Sequence, residues 1–158
     1  MGSHHSAVMK NDEWLTDPFI LAKLGKFDTD PCSPVNRPWP TAKMHYTKED
    51  DGLSQPWFGR VWCNPPYGKE ASAWLEKLAN HGEGTALIFA RTETEMFFHQ
   101  VWDKAMAVLF VKGRLYFYDV NGVKAKANSG APSVFIAYGH NDAFLLKKSG
   151  IPGKFISL

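Results

Sequence analysis

Cysteine is nearly absent from this chain. Cys32 and Cys63 are its only two, too widely separated for a C-x-x-C metal or redox motif, and such sparse use excludes a secreted disulfide scaffold. Free thiols in a reducing compartment are expected. Long apolar runs are missing too: no window reaches the roughly 18 consecutive apolar residues of a membrane-spanning helix, and no charged-then-apolar start suggests export. These two absences predict a cytoplasmic protein with no membrane partner. A strong net charge is also lacking. At +2 the chain neither demands nor excludes a nucleic-acid partner, whose phosphates draw on local Lys/Arg clusters rather than on the total. His4 and His5 sit in Met1-Gly2-Ser3-His4-His5-Ser6, which has no apolar periodicity and reads as an expression-tag remnant or disordered start over residues 1–8. They are not counted as metal ligands, and no metal site is expected.

What is present suffices for one core. With 158 residues, 44% of them hydrophobic, residues 9–158 are expected to form a single domain. Asp17 can cap a short helix with Pro18 in its first turn, closed by Gly25. Lys26 to Asp30 is a brief strand candidate, and Pro31 to Pro40 holds too many prolines for regular structure. Arg60 to Cys63 is an apolar strand running directly into Asn64-Pro65-Pro66-Tyr67-Gly68. Ala71, Trp74, Leu75 and Leu78 stand at helical spacing before Gly82, and Thr85 to Ala90 reads as a buried strand. Thr92 and Glu95 have the form of a capping box. Ala107 to Val111, Arg114 to Tyr118 and Ser133 to Tyr138 are further strand candidates, the last two joined by a surface loop over Asp119 to Ala131. The alternation predicts an α/β fold: a mostly parallel sheet flanked by helices, with an antiparallel C-terminal hairpin and ligands beyond the carboxyl ends of the strands.

Asn64-Pro65-Pro66-Tyr67 suits chemistry on a planar amine. The lone pair of such a nitrogen is delocalised into its ring, so a site must localise it. An amide oxygen on Asn64 and the carbonyl of Pro65 can each accept one amino hydrogen and aim the lone pair at a methyl donor. Proline at 65 and 66 stiffens that carbonyl, and Tyr67 offers a flat face for stacking. Taken alone the tetrapeptide is equally readable as a proline-rich turn. Its place directly after an apolar strand favours the chemical reading.

Other motifs extend the pattern: Asp12-Glu13-Trp14-Leu15-Thr16, Phe27-Asp28-Thr29-Asp30-Pro31-Cys32-Ser33, Asp51-Gly52-Leu53 before Trp57, Gly113-Arg114-Leu115-Tyr116-Phe117 and Ala131-Pro132-Ser133. Together with Val61 to Gly68 they make residues 12–138 resemble the phage-type, Dam-like DNA N-6-adenine methyltransferases. The resemblance implies a Rossmann-like class I methyltransferase sheet, S-adenosylmethionine as cofactor, and site-specific methylation of adenine N6 after the base is flipped out of DNA. It also implies a phage or prophage origin in a bacterial cell. The catalytic residues carried over are Asn64, Pro65, Pro66 and Tyr67. Other planar amines, in an RNA base or a protein glutamine, pose the same problem to such a loop and form the rival substrates. A catalytically silent DNA-binding module of the same fold is the rival from another class.

For the cofactor, the resemblance implies Trp14, Thr16, Asp30, Pro31, Cys32, Asp51 and Asn64. Asp30 would accept from the α-amino group and is otherwise a solvated carboxylate ending a strand. Thr16 would bond the carboxylate and is otherwise a helix cap. Asp51 would receive the cofactor's adenine amine, although Asp-Gly is also a common turn. Cys32 is assigned only proximity. The ribose partner is unassigned, with Asn36, Thr47 and Glu49 as candidates. With no separate target-recognition segment, DNA contact falls to Lys112, Arg114, Lys124 and Lys126, which otherwise form a solvated surface.

Overall fold

A computed structural model describes residues 13–158; the suggested tag at 1–8 and Asp12 lie outside the described residues. Among the described residues seven strands form one sheet. In chain order these are β1 (Thr29–Asp30), β2 (Met44–His45), β3 (Val61–Cys63), β4 (Gly84–Phe89), β5 (Ala107–Val111), β6 (Ser133–Tyr138) and β7 (Gly153–Ser157). Spatially they run β2-β1-β3-β4-β6-β5-β7. Among the described residues the α-helices are α1 (Pro18–Ala22), α2 (Ala71–His81), α3 (Glu95–Phe97), which continues as a π-helical turn over Phe98–Trp102, and α4 (His140–Lys148). No helix among the described residues is long and apolar enough to cross a membrane.

The ends of the helices follow local chemistry. Asp17 Oδ1 accepts from Phe19 N at 2.9 Å, and Pro18 fills the first turn of α1, where its missing N–H costs nothing. Gly82 closes α2 at φ 77°, a left-handed turn that its missing Cβ permits. The cap of α3 is Thr94, whose hydroxyl accepts from Phe97 N. The Thr92/Glu95 capping box is therefore not formed, because the helix starts later than that pairing requires.

Alternation along the strands sends side chains to two cores. Val61, Cys63, Ala86, Ile88, Val134 and Ile136 pack on one face with Trp74, Leu75 and Leu78 of α2. Trp62, Leu87, Leu109 and Phe135 pack on the other with Leu21, Leu24, Phe27 and Leu146. A strand buried on both faces carries a continuous apolar run, as β3 does.

The expectation of a mostly parallel sheet is corrected. Pairs β1–β2, β1–β3 and β3–β4 are parallel but short. The long ladders, β4–β6, β5–β6 and β5–β7, are antiparallel. The cause is β6, which returns between β4 and β5 and pairs with β4 over its whole length. The expected hairpin is also corrected: Arg114 to Tyr118 forms no strand. Leu115 and Phe117 are buried on the second face, giving a strand-like alternation, yet only Tyr118 forms bridges, to Leu15 and Lys124.

The directions still organise the molecule. These pairings make β1 through β5 point one way, so Pro31, Asn64, Ala90 and Lys112 all leave the sheet at one edge.

Candidate active site

At that edge lies a cleft of about 470 Å³. Its walls bring together Trp14, Pro31, Cys32, Asp51, Asn64, Pro65, Pro66 and Tyr67, drawn from separate places in the chain and singled out from the sequence. The Asn64–Tyr67 loop starts directly after β3. Pro65 is buried, while Asn64 and Tyr67 are half-buried and face the cleft. The Asn64 amide makes no hydrogen bond among the described residues, so both its acceptor and its donors remain for a ligand.

The neighbouring turn is held from behind. Asp30 is buried at 3% exposure and does not line the cleft. Its Oδ1 accepts from Cys32 N at 3.1 Å, and its Oδ2 accepts from the Thr41 hydroxyl. Desolvation on burial raises its pKa to about 6, against the opposing effects of the Thr41 hydroxyl, the Cys32 N–H and Arg37. Across the β1–β2 pair, His45 Nε2 accepts from Thr41 N at 3.1 Å. Burial, then Arg37, lowers the His45 pKa to about 4, so the ring is neutral and free to accept. Asp30 and His45 thus grip Thr41 from two sides.

Asp51 lies opposite. It is exposed, lines the cleft, and adopts φ 55°, the left-handed region that a non-glycine residue occupies at a cost of about 1–3 kcal/mol. Its carboxylate caps no helix N–H. The next residue, Gly52, lies so close to the Pro31 carbonyl that a Cβ would collide with it. Lys77 secures this segment by donating to the carbonyls of Leu53 and Gln55 while lying 5.0 Å over the Trp57 ring. Burial lowers the Lys77 pKa, and Asp51 partly offsets this.

Thr16 is 2% exposed, does not line the cleft, and its hydroxyl is buried without a partner. Of the ribose candidates, Thr47 lines the cleft and Asn36 and Glu49 do not. Cleft residues not singled out as ligands from the sequence include Gly52, Lys48, Glu70 and Trp74. Trp74 was legible only as part of a helical apolar stripe. It serves that stripe, stacks on Trp57 at 6.1 Å, and also walls the cleft. Among the described residues no group of three or more His, Cys, Asp and Glu is placed to hold a metal.

Lys112, Arg114, Lys124 and Lys126 are all exposed. Asp119 Oδ1 accepts from Asn121 N and Val123 N, each at 2.9 Å, folding the segment back on itself. Lys124 Nζ comes 4.9 Å over the Tyr116 ring. Leu15 N donates to Tyr118 O at 2.8 Å and Tyr118 N to Leu15 O at 2.9 Å, tying this arm beside Trp14.

A family model described as DNA N-6-adenine-methyltransferase (Dam) matches residues 3–142. The match begins within the stretch 1–8. No curated protein matches the chain, and neither does any solved structure.

Proposed function

The chain belongs to the DNA N-6-adenine-methyltransferase (Dam) family, and from that premise we propose that it methylates the N6 amine of adenine in DNA, using S-adenosylmethionine and a flipped target base. The observation that carries this reading is the cleft itself. The Asn64 loop, the Pro31-Cys32 turn and Asp51 share it, so an amine-orienting group and several of the proposed cofactor contacts lie within one cavity, while Asp30 and Thr16 do not line it. Its size falls within the range of roughly 300–1,000 Å³ typical of small-molecule sites.

The cofactor supplies an electrophilic methyl group when bound. The donor set fits it. Asp51, with a carboxylate that caps no helix, would accept from an exocyclic adenine amine. Trp14 and Trp74 give flat apolar walls, and Gly52 keeps the backbone close enough to Pro31 to shape the floor. Asp30 acts from behind, holding the Cys32 N–H and Thr41 in place while adding negative charge near a cationic ligand once it ionises.

The chain's catalytic work is orientation. Asn64 Oδ1 and the Pro65 carbonyl accept the two amine hydrogens, and these contacts strengthen as positive charge develops on the nitrogen. Tyr67 supplies a stacking face. The arm from Lys112 to Lys126 leaves the same edge and offers cations to the phosphate backbone. We read the fold as a Rossmann-like class I methyltransferase over residues 9–158. Support comes from the shared direction of β1 through β5 and from a cleft beyond their carboxyl ends.

The test is incubation with unmethylated genomic DNA and S-adenosylmethionine, followed by digestion and mass spectrometry of the nucleosides. The expected product is N6-methyldeoxyadenosine. Its absence, with methylated RNA or peptide formed instead, would overturn the substrate assignment.

A further inference from the structure

Tyr67, the residue assigned to stack on the target base, already has an aromatic partner. Its ring lies on that of Phe89, with centroids 4.8 Å apart and planes 5° from parallel. An aromatic layer needs roughly 3.5–4.0 Å on each side, so no base fits between rings this close. Phe89 is the last residue of β4, half-buried, and belongs to neither hydrophobic core. Its ring partners are Tyr67 and the guanidinium of exposed Arg91, 5.9 Å from the Phe89 centroid. A half-buried ring outside both cores, held at a strand's end by one stacking contact and one cation–π contact, can swing away without opening a core. Plate, plate and cation in succession also suit a nucleotide, whose base stacks while its phosphate meets the charge.

We propose that Phe89 stands in for the extruded adenine: in the free protein it covers one face of the Tyr67 ring, and the target base takes that place by displacing it. This rests on the base-flipping reading above. Phe89 thereby closes the base site until a base that is cheap to unstack arrives, and its grip on Tyr67 sets part of the extrusion equilibrium. An aromatic pair contributes about 0.5–1.5 kcal/mol beyond its area, so the competition corresponds to about 2- to 12-fold in base affinity. A supporting wall would act the other way, since a better stacker would then hold Tyr67 better.

The two roles give opposite rank orders. Binding of fluorescently labelled single-stranded oligo(dA) is measured by anisotropy for the wild type, Phe89→Ala, Phe89→Leu and Phe89→Trp, with S-adenosylhomocysteine saturating. The salt concentration is raised enough to suppress phosphate contacts. The expected result is binding tightened by about 2- to 12-fold for Ala and Leu, weakened for Trp, with S-adenosylhomocysteine affinity unchanged throughout. Trp binding tightest and Ala loosest, or no difference among the four, would overturn the proposal. If the expected order holds but the wild type makes no N6-methyldeoxyadenosine, the displacement stands and the reaction assignment fails. If the product forms and the order is reversed, Phe89 is a wall.

Discussion

Gly52 packs its bare Cα against the carbonyl oxygen of Pro31, and any Cβ there would collide with that oxygen and come within 3.2 Å of the Trp74 ring. The contact joins the two segments assigned to opposite ends of the cofactor. Gly52→Ala must therefore push backbone from backbone, an overpacking cost of about 1–3 kcal/mol. The expected outcome is a lower melting temperature and a loss of S-adenosylhomocysteine affinity measured by calorimetry. Unchanged affinity would mean that the two segments do not act on one ligand.

The grip on Thr41 carries a pH signature. Asp30, raised from 3.8 to about 6, holds its proton more tightly in the folded state. Its contribution to stability is complete below 3.8 and is lost as pH rises through about 6. His45, lowered from 6.5 to about 4, does the reverse, with its contribution complete above 6.5 and lost as pH falls toward 4. Between about pH 4 and 6 the two slopes oppose each other, each at most ~1.4 kcal/mol per pH unit. Denaturant melts should show a shallow wild-type dependence there. Asp30→Asn should make stability rise with pH, and His45→Gln should make it fall. Parallel profiles for the two variants would contradict the opposed pair.

Much of this frame was legible where the chain punctuates itself. Asp17-Pro18 and Gly82 mark helix ends by their own backbone chemistry, and the run from Arg60 into Asn64-Pro65-Pro66 marks a strand meeting a loop. Properties of the folded whole were not legible. The insertion of β6 between β4 and β5 depends on pairing distant in sequence, and β2 is only Met44–His45, too short for any period to show. The alternation Leu115, Tyr116, Phe117 gives a strand-like pattern that folding uses to pack a loop. At the site, the loop residues announced themselves by type, but the turning of Asp30 inward onto Thr41 rather than toward a ligand is a matter of burial, which a carboxylate's identity does not reveal.

Cys32 provides a chemical probe of the cleft. It is half-buried and lines the cavity, whereas Cys63 is fully buried and burial raises its thiol pKa well above the usual range, leaving it little reactive thiolate. N-ethylmaleimide should add once, at Cys32, and S-adenosylhomocysteine should slow the addition several-fold. Mass spectrometry of the labelled peptide reads both outcomes. Labelling at an unaltered rate in saturating ligand would place the cofactor elsewhere.

The exposed cations of the arm should act on DNA through charge alone. Lys124→Ala with Lys126→Ala should weaken binding and reduce the slope of log affinity against log salt by about one unit for every phosphate no longer neutralised. Turnover at saturating DNA should change less. A double variant with the wild-type slope would make these lysines a solvated surface and move the DNA-binding role to another part of the edge.

The central claim is that the Asn64 amide orients the amine that receives the methyl group, and its half-buried position in the cleft with no hydrogen bond among the described residues agrees with that task. The interaction strengthens toward the transition state, so its removal falls on turnover rather than on binding. Losing one such group costs about 2.7–4 kcal/mol, or a hundred- to thousandfold in rate. Asn64→Asp, which keeps an acceptor, should retain more activity than Asn64→Ala. The most direct measurement is the single-turnover rate of methyl transfer to DNA adenine by Asn64→Ala, with cofactor affinity checked alongside. The account predicts a rate lowered at least a hundredfold with cofactor affinity near that of the wild type; transfer at the wild-type rate would contradict it.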